Sequence, residues 1–482
     1  MECKILVLPQ QIRLHVPSGT NLLKALRAAG LAVDAPCGGM GTCGKCTVTV
    51  NGQQIHACCC SVESDIIVKL PQSNITSILT AGAMEQRKPD PLCKGYLAAV
   101  DIGTTTVVCV LMDHTGRELA VQSMTNPQVP WGADVITRIQ HAVMGQREAL
   151  TDAICRGVQM LLRECCRQAG VLQKEIGVIS VVGNSCMQQL FLGMDVRNLA
   201  GIPFAPAILR AETVDAATWF PECPEAKLLI VPDMAGFLGA DTMACILAAK
   251  LHEAQDTVLL VDIGTNGELV LVHNGKMAAC SAAAGPALEG GNISCGMRAA
   301  SGAVDRVWSG GCSVIGEENA KGVCGSGLID AAAVMLEEDI MNSRGRVLTP
   351  DHSYRLTEQV TLTQEDIRQL QMAKGAIAAA IQLLAEHMGL TMKEIDRVIL
   401  AGAFGASLNV KNACRIGLLP QELEDKITAA GNIALSGARA LALDKKLLPL
   451  TQTLLERIEA VELARMPRFH MVFAENMLFP EG

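Results

Sequence analysis

The chain has 482 residues, half of them hydrophobic and 18% charged, with a formal net charge of −9. That length exceeds one ordinary core and predicts two or three domains, and the hydrophobic share excludes a disordered chain. The acidic balance without a basic stripe argues against nucleic acid as the main partner, and twenty cysteines with no recognisable signal peptide suggest thiols kept reduced in an anaerobic cytoplasm rather than a disulfide scaffold.

In chain order, KILVL and QIRLHV predict two strands joined at Pro9-Gln10. TNLLKALRAAG predicts a short helix with Thr20 as N-cap and Gly30 as stop. CTVTV-NG-QQIHAC reads as a hairpin with an Asn-Gly turn, and DIIVKL as a further strand. Between helix and hairpin lies PCGGMGTCGKC, three cysteines and four glycines in eleven positions. Cys37, Cys43 and Cys46, followed by Cys58 after eleven intervening residues, have the spacing of metal ligands. Four thiolates can hold a [2Fe–2S] cluster, and Gly38, Gly39, Gly41 and Gly44 let the backbone wrap it and aim N–H groups at sulfur. Structural zinc is the competing reading, but zinc usually takes two Cys-x(2–4)-Cys knuckles and this segment offers one short pair. HACCC leaves the fourth ligand open between Cys58 and Cys60, which strand alternation puts on one face. The remaining sixteen cysteines read as small buried residues.

This stretch resembles plant- and adrenodoxin-type ferredoxins, whose AC ending favours Cys58 as fourth ligand. The resemblance implies a β-grasp [2Fe–2S] domain over residues 1–72 that carries one electron at a time. A segment rich in proline, serine and charge, residues 73–95, reads as a linker.

The rest of the chain contains an internal echo. AAVDIGTTTVVCVLMDHTG begins at Ala98 and LLVDIGTNGELVLVHNG at Leu259, 161 residues later. Each is an apolar strand, Asp-Ile-Gly-Thr, a second apolar strand and a turn. Backbone N–H groups and hydroxyls of Gly103, Thr104, Thr105 and Thr106, and of Gly264, Thr265 and Asn266, suit phosphate oxygens, with Asp101 and Asp262 facing hydrated Mg²⁺. Two such turns in matching contexts suggest a duplicated fold that clamps a nucleotide. VISVVGNSCMQQLFLG predicts strand, turn at Gly183 and Asn184, then helix. Its uncharged run, 176–194, is broken by polar residues and does not suit a membrane span. GVCGSGLIDAAAVMLEE sets Gly325, Ser326 and Gly327 at a helix start, suited to ribose or phosphate. TQEDIRQLQMAKGAIAAAIQLLAEHMG carries a Thr363–Asp366 capping signature and an apolar stripe of Ile377, Ile381, Leu384 and Met388 before Gly389, predicting a helix behind the second lobe's sheet. RVILAGAFGASLNV predicts a strand entering a glycine turn at Gly402 and Gly405.

This order resembles the phosphate and adenosine motifs of the acetate and sugar kinase, heat-shock chaperone and actin superfamily, over about residues 96–482. The implied fold is α/β and α+β: a ferredoxin domain, then a two-lobed actin-like, ribonuclease H-like duplicated ATPase with lobes at 96–250 and 251–482. An electron carrier joined to such an ATPase resembles the reductive activators of corrinoid proteins, also called ASKHA ferredoxins. GPALEGGNISCGMRAASGAVDRV, GADTMA and MVFAENMLFP carry that resemblance further.

The resemblance implies ATP-dependent reduction of inactive Co(II) to Co(I) on the corrinoid protein of a methyltransferase system. The electron passes through the [2Fe–2S] cluster from a low-potential ferredoxin or reductase. A homodimer and a cytoplasmic location, with no membrane or nucleic-acid partner, complete the expectation. Asp241 and Glu268 are candidate bases or groups that position Mg²⁺ or water. The alternatives are an electron activator of a dehydratase or reductase, which would lack the ferredoxin domain, a small-molecule kinase, and a non-enzymatic redox sensor that uses ATP as a clamp.

Overall fold

A computed structural model describes residues 2–8, 12–29, 33, 46–70, 88–317 and 319–481. Among them, the N-terminal strands follow the period-two alternation of a half-buried sheet: Cys3, Ile5 and Val7 are buried in Glu2–Leu8, with more exposed neighbours between. That strand pairs antiparallel with Ile12–Pro17 and parallel with Ile66–Lys69, which continues to Thr47–Val50 and Gln53–His56. The hairpin turns at Asn51 and Gly52, both at positive φ (48° and 89°), as a tight Asn-Gly connection requires. Helix Leu22–Ala28 buries Leu22, Leu23 and Leu26 against this five-stranded mixed sheet. Its N-terminus corrects the expected cap. Asn21 Oδ1 accepts the Lys24 N–H at 3.2 Å, while the Thr20 hydroxyl donates to the Pro17 carbonyl at 2.6 Å. Thr20 is already paired as a strand residue with Val62, so the cap falls one residue later.

Two six-stranded sheets follow with one plan. The first runs Glu118–Thr125, Thr106–Met112, Tyr96–Ile102, Ile176–Gly183, Lys227–Ile230, Glu212–Asp215. The second runs Ile427–Gly431, Arg397–Ala401, Val258–Ile263, Gly267–His273, Lys276–Ala282, Ile458–Ala460. In each, three consecutive strands form an antiparallel meander, and the first of them pairs parallel with a fourth that leads on to a fifth. The sequence echo is therefore a fold duplication.

Helices Ala240–Ala248 and Ile433–Leu443 pack between the sheets, joining Leu97, Val108 and Val182 of one to Leu260, Val270 and Val272 of the other in one apolar cluster. Helix Arg147–Ala169 covers the outer face of the first sheet and Gln364–His387 that of the second. The latter opens with the expected reciprocal cap, Thr363 Oγ1 accepting the Asp366 N–H at 3.3 Å and Asp366 accepting the Thr363 N–H at 2.8 Å. Its stripe residues Ile377, Ile381 and Leu384 are buried.

The lobes are not sequentially clean. Ile433–Leu443 packs on strands of the first sheet although it lies near the C-terminus. Residues 88–95 are also held there: Asp90 bridges to Asp444, its N–H donating to the Leu443 carbonyl at 2.9 Å. No helix among the described residues is long and apolar enough to cross a membrane.

Candidate active site

The repeated strands end at one cleft. Asp101 and Asp262 close Tyr96–Ile102 and Val258–Ile263 at corresponding positions, and their Gly-Thr turns face each other. Asp241 enters from the first turn of Ala240–Ala248 and Glu268 from Gly267–His273. The cleft is lined by these four acids together with Thr104, Thr105, Thr106, Gly103, Asn184, Gly264, Thr265 and Asn266.

Carboxylates gathered this closely and walled in by protein resist ionisation. Desolvation raises the Asp101 carboxyl to about 6, with an Asn432 amide hydrogen bond at 2.9 Å pulling the other way. Asp262 is pushed up to about 7 by desolvation, then by the charges of Asp101 and Glu289. Asp241 is pushed up to about 8 by desolvation and by Asp101 and Asp262. Glu268 is raised well above the usual carboxylate range for the same reasons, with Asp241 its nearest like charge in effect. A hard divalent cation bound through oxygen or through its own water shell relieves such a cluster.

The turns are held from behind. The Arg138 guanidinium, fully buried and lowered to about 10 by desolvation, donates to the Thr104 carbonyl at 2.6 Å and to the Gly132 carbonyl at 3.0 Å. Asn126 Nδ2 donates to the Gly103 carbonyl at 2.7 Å. Asn184 caps helix Ser185–Phe191 and donates from Nδ2 to Thr104 Oγ1 at 3.1 Å. Gly402 has φ +88°, and a Cβ there would lie 2.6 Å from Asp262 Oδ1, so only glycine lets Arg397–Ala401 end against that acid.

The expected residues do not all meet here. Gly402 lines the cleft, whereas Gly405 sits inside helix Gly402–Ser407, where an added Cβ would be 2.9 Å from Leu400 Cγ; it serves packing rather than a turn. Gly325, Ser326 and Gly327 do begin helix Gly325–Glu337 and are buried, with Gly325 against Phe404, whose ring a Cβ there would approach to 2.6 Å and which itself lines the cleft. The Ser326 hydroxyl donates to the Asp305 carbonyl at 2.9 Å, and a Cβ on Gly325 would clash with the Leu288 carbonyl. Gly183 ends its strand behind the Asn184 cap, where an added Cβ would lie 2.8 Å from the Ile102 carbonyl oxygen.

Among the polar residues lining the cleft, sequence reasoning missed Asn432 and Glu289. Asn432 was legible as an N-cap before an apolar helix, and its Oδ1 does accept the Leu435 N–H at 2.9 Å. Its contact with Asp101, 331 residues away, was not legible. Glu289 has no local signal beyond its glycine-flanked phrase, yet it accepts from Thr105 at 2.9 Å and Thr265 at 2.5 Å.

Of the proposed cluster ligands, Cys37 and Cys43 lie outside the described residues. Cys46 and Cys58 meet with sulfurs 3.2 Å apart, and the Cys58 N–H points at Cys46 Sγ at 3.5 Å. The one-turn segment Ala57–Cys59 replaces the expected straight strand, so alternation no longer pairs Cys58 with Cys60. The Cys60 thiol instead donates to the Ser61 carbonyl at 3.8 Å. Two converging thiols with an amide directed at one sulfur fit one edge of an iron–sulfur site. Cys109, Cys165, Cys186 and Cys223 are buried as expected; Cys59 is exposed.

Comparison with known proteins covers all these parts. Residues 256–482 match the family described as the C-terminal domain of RACo, the ASKHA domain, and residues 96–254 the RACo middle region. Residues 5–67 match the 2Fe-2S iron-sulfur cluster binding domain. The chain is 33% identical over 424 residues to the corrinoid activation enzyme RamQ of Eubacterium limosum, spanning 80% of this chain and 71% of that protein. It is 24% identical over 389 residues to the [Co(II) methylated amine-specific corrinoid protein] reductase of Methanosarcina barkeri, 73% of this chain and 70% of that one. A solved structure described as a reductive activator for corrinoid, iron-sulfur protein covers 100% of this chain and 99% of its own, at TM-score 0.75 and 28% identity.

Proposed function

We propose a function from one premise: the chain belongs to the family of ATP-dependent reductive activators of corrinoid proteins. It reduces the inactive Co(II) state of a corrinoid protein to Co(I), its [2Fe–2S] domain supplying the electron and its ATPase fold making delivery possible. The observation that carries this reading is the union, in one chain, of a [2Fe–2S] domain with a duplicated fold whose two Asp-Ile-Gly-Thr turns converge on one acidic cleft.

A [2Fe–2S] cluster, when bound, exchanges one electron at a potential set by its thiolates and their hydrogen bonds. Cys37, Cys43, Cys46 and Cys58 would hold it, a reading supported by the meeting of Cys46 and Cys58. Mg·ATP would lie between residues 101–106 and 262–266, with adenosine against 402–405, where Phe404 offers a ring to the cleft. Asp101 and Asp262 would hold hydrated Mg²⁺, and Asp241 and Glu268 would help position the ion or water. The threonine hydroxyls and turn N–H groups hold phosphate oxygens. The domains follow as 1–72 for the ferredoxin, 73–95 for the connection, and 96–250 and 251–482 for the lobes. The electron donor is a low-potential ferredoxin or reductase, the protein works in the cytoplasm, and it assembles as a homodimer.

ATP is needed because delivery is uphill. For one electron, a gap of about 60 mV lowers the equilibrium constant tenfold, so a few hundred millivolts makes the requirement nearly absolute. The test is anaerobic cobalt spectroscopy with a panel of Co(II) corrinoid proteins and reduced activator. Co(I) should appear on adding Mg·ATP and stay low without it. A panel left in Co(II), alongside phosphorylation of a sugar or carboxylic acid at a useful rate, would replace this function with a kinase.

A further inference from the structure

One carboxylate joins the two turns that the nucleotide reading assigns to phosphate. Glu289 Oε2 accepts from the Thr265 hydroxyl at 2.5 Å and the Thr105 hydroxyl at 2.9 Å, and the two hydroxyls are 3.4 Å apart. Thr105 belongs to the first sheet's turn and Thr265 to the second's, so a single oxygen spans the lobes. Glu289 ends a one-turn segment, Pro286–Glu289, with Gly285 and Gly290 on either side at φ +77°. A Cβ on Gly290 would lie 2.3 Å from the Met297 carbonyl oxygen, so backbone contact fixes this bend and aims the side chain.

The duplication does not explain the convergence. Matching the two Asp-Ile-Gly-Thr turns pairs Thr265 with Thr104, not Thr105. The Thr104 hydroxyl is engaged by Asn184 and its carbonyl by Arg138. Glu289 thus selects one hydroxyl from each turn at non-equivalent positions.

A hydroxyl has one proton to donate. Thr105 and Thr265 can each serve Glu289 or a phosphate oxygen, but not both at full strength. Glu289 also adds negative charge beside Asp262, in the space a triphosphate would enter. We propose that Glu289 competes with phosphate for the hydroxyls of both turns, and that Mg-nucleotide binds by displacing its carboxylate from Thr105 and Thr265. This rests on the reading of the cleft as the nucleotide site. Glu289 is then a positioning residue: it ties Thr105 of one turn to Thr265 of the other, and it lowers nucleotide affinity by competing for the same donors.

The experiment uses the full-length, cluster-loaded protein and its Glu289→Gln and Glu289→Ala variants. Binding of Mg·AMPPNP is measured by calorimetry, and kcat and KM for ATP hydrolysis are measured in parallel. Gln keeps the shape and an acceptor oxygen while removing the charge; Ala removes both. Both variants should bind Mg·AMPPNP roughly tenfold more tightly or better, about 1.4 kcal/mol, with KM falling in step. Unchanged or weaker binding with a collapse of kcat would make Glu289 a group acting on the reacting water and overturn the proposal. Wild-type protein that binds no Mg·AMPPNP would overturn the nucleotide reading itself. Wild-type binding with neither variant tighter would overturn only the role of Glu289. Should the Ala variant fail to fold, the near-isosteric Gln variant decides.

Discussion

At the scale of single residues, the cleft acids set two expectations. Asp101→Ala and Asp262→Ala each remove a carboxylate proposed to orient hydrated Mg²⁺, and turnover should fall roughly ten- to a thousandfold while fold and cluster absorbance persist. Hydrolysis at the wild-type rate in both variants would end the case for this site. The second expectation concerns pH. Burial pushes the Asp101, Asp262 and Asp241 carboxyls of the folded chain up to about 6, 7 and 8, whereas an unfolded Asp releases its proton near 4. Across that window the folded chain binds more protons than the unfolded one, so stability falls as pH rises from about 4 to about 8, the reverse of a salt-bridged carboxylate. Mg²⁺ pairs with the ionised acids and should therefore raise the melting temperature more at pH 8 than at pH 6. Equal rises at the two pH values would show that these acids do not share a cation.

At the scale of elements, the short helical turn Ala57–Cys59 decides which cysteine meets Cys46. It rotates Cys58 toward Cys46 and leaves Cys60 on the Ser61 carbonyl. Cys58→Ser should abolish most of the visible [2Fe–2S] absorbance, and Cys60→Ser should leave about two irons per chain. The opposite pattern would show that the turn rearranges when the cluster assembles. The capping box at Thr363–Asp366 does more than start a helix: Asp366 Oδ1 also accepts from the Ser294 N–H at 2.7 Å and hydroxyl at 3.0 Å. One carboxylate thus ties the long helix to the segment that follows Glu289.

At the scale of the molecule, the ferredoxin and ATPase parts serve one reaction only if they are joined. Residues 88–95 are docked on the second half of the chain through Asp90, whose carboxylate lies 3.1 Å from Lys445 Nζ. A truncation beginning at Lys88 keeps that anchor. It should bind Mg-nucleotide with wild-type affinity and reduce no cobalt, which nucleotide calorimetry and cobalt spectroscopy measure side by side. Cobalt reduction by the truncated protein would separate electron delivery from the N-terminal domain. Because binding couplings are reciprocal, a Co(II) corrinoid protein should in turn change nucleotide affinity in the full-length chain.

Strand alternation, Asn-Gly chemistry, the capping box and the repeated Asp-Ile-Gly-Thr turns are local patterns, so the sequence by itself determined the elements, the duplication and most of the cleft's acids. It also determined the family, since the cysteine spacing and the ATPase phrases occur together in one chain. Only the tertiary structure decided what depends on distant segments meeting. Asn432 reaches Asp101 because Ile433–Leu443 packs back on the first sheet. Gly325, Ser326 and Gly327 were expected at the ligand because glycine at a helix start suits phosphate. The structure shows what that start packs on: the lack of a side chain lets the helix press against the Leu288 and Val304 carbonyls and beside Phe404 of the cleft. Glu289 meets both turns through a bend fixed by the Met297 backbone, a contact that no periodicity along the chain encodes.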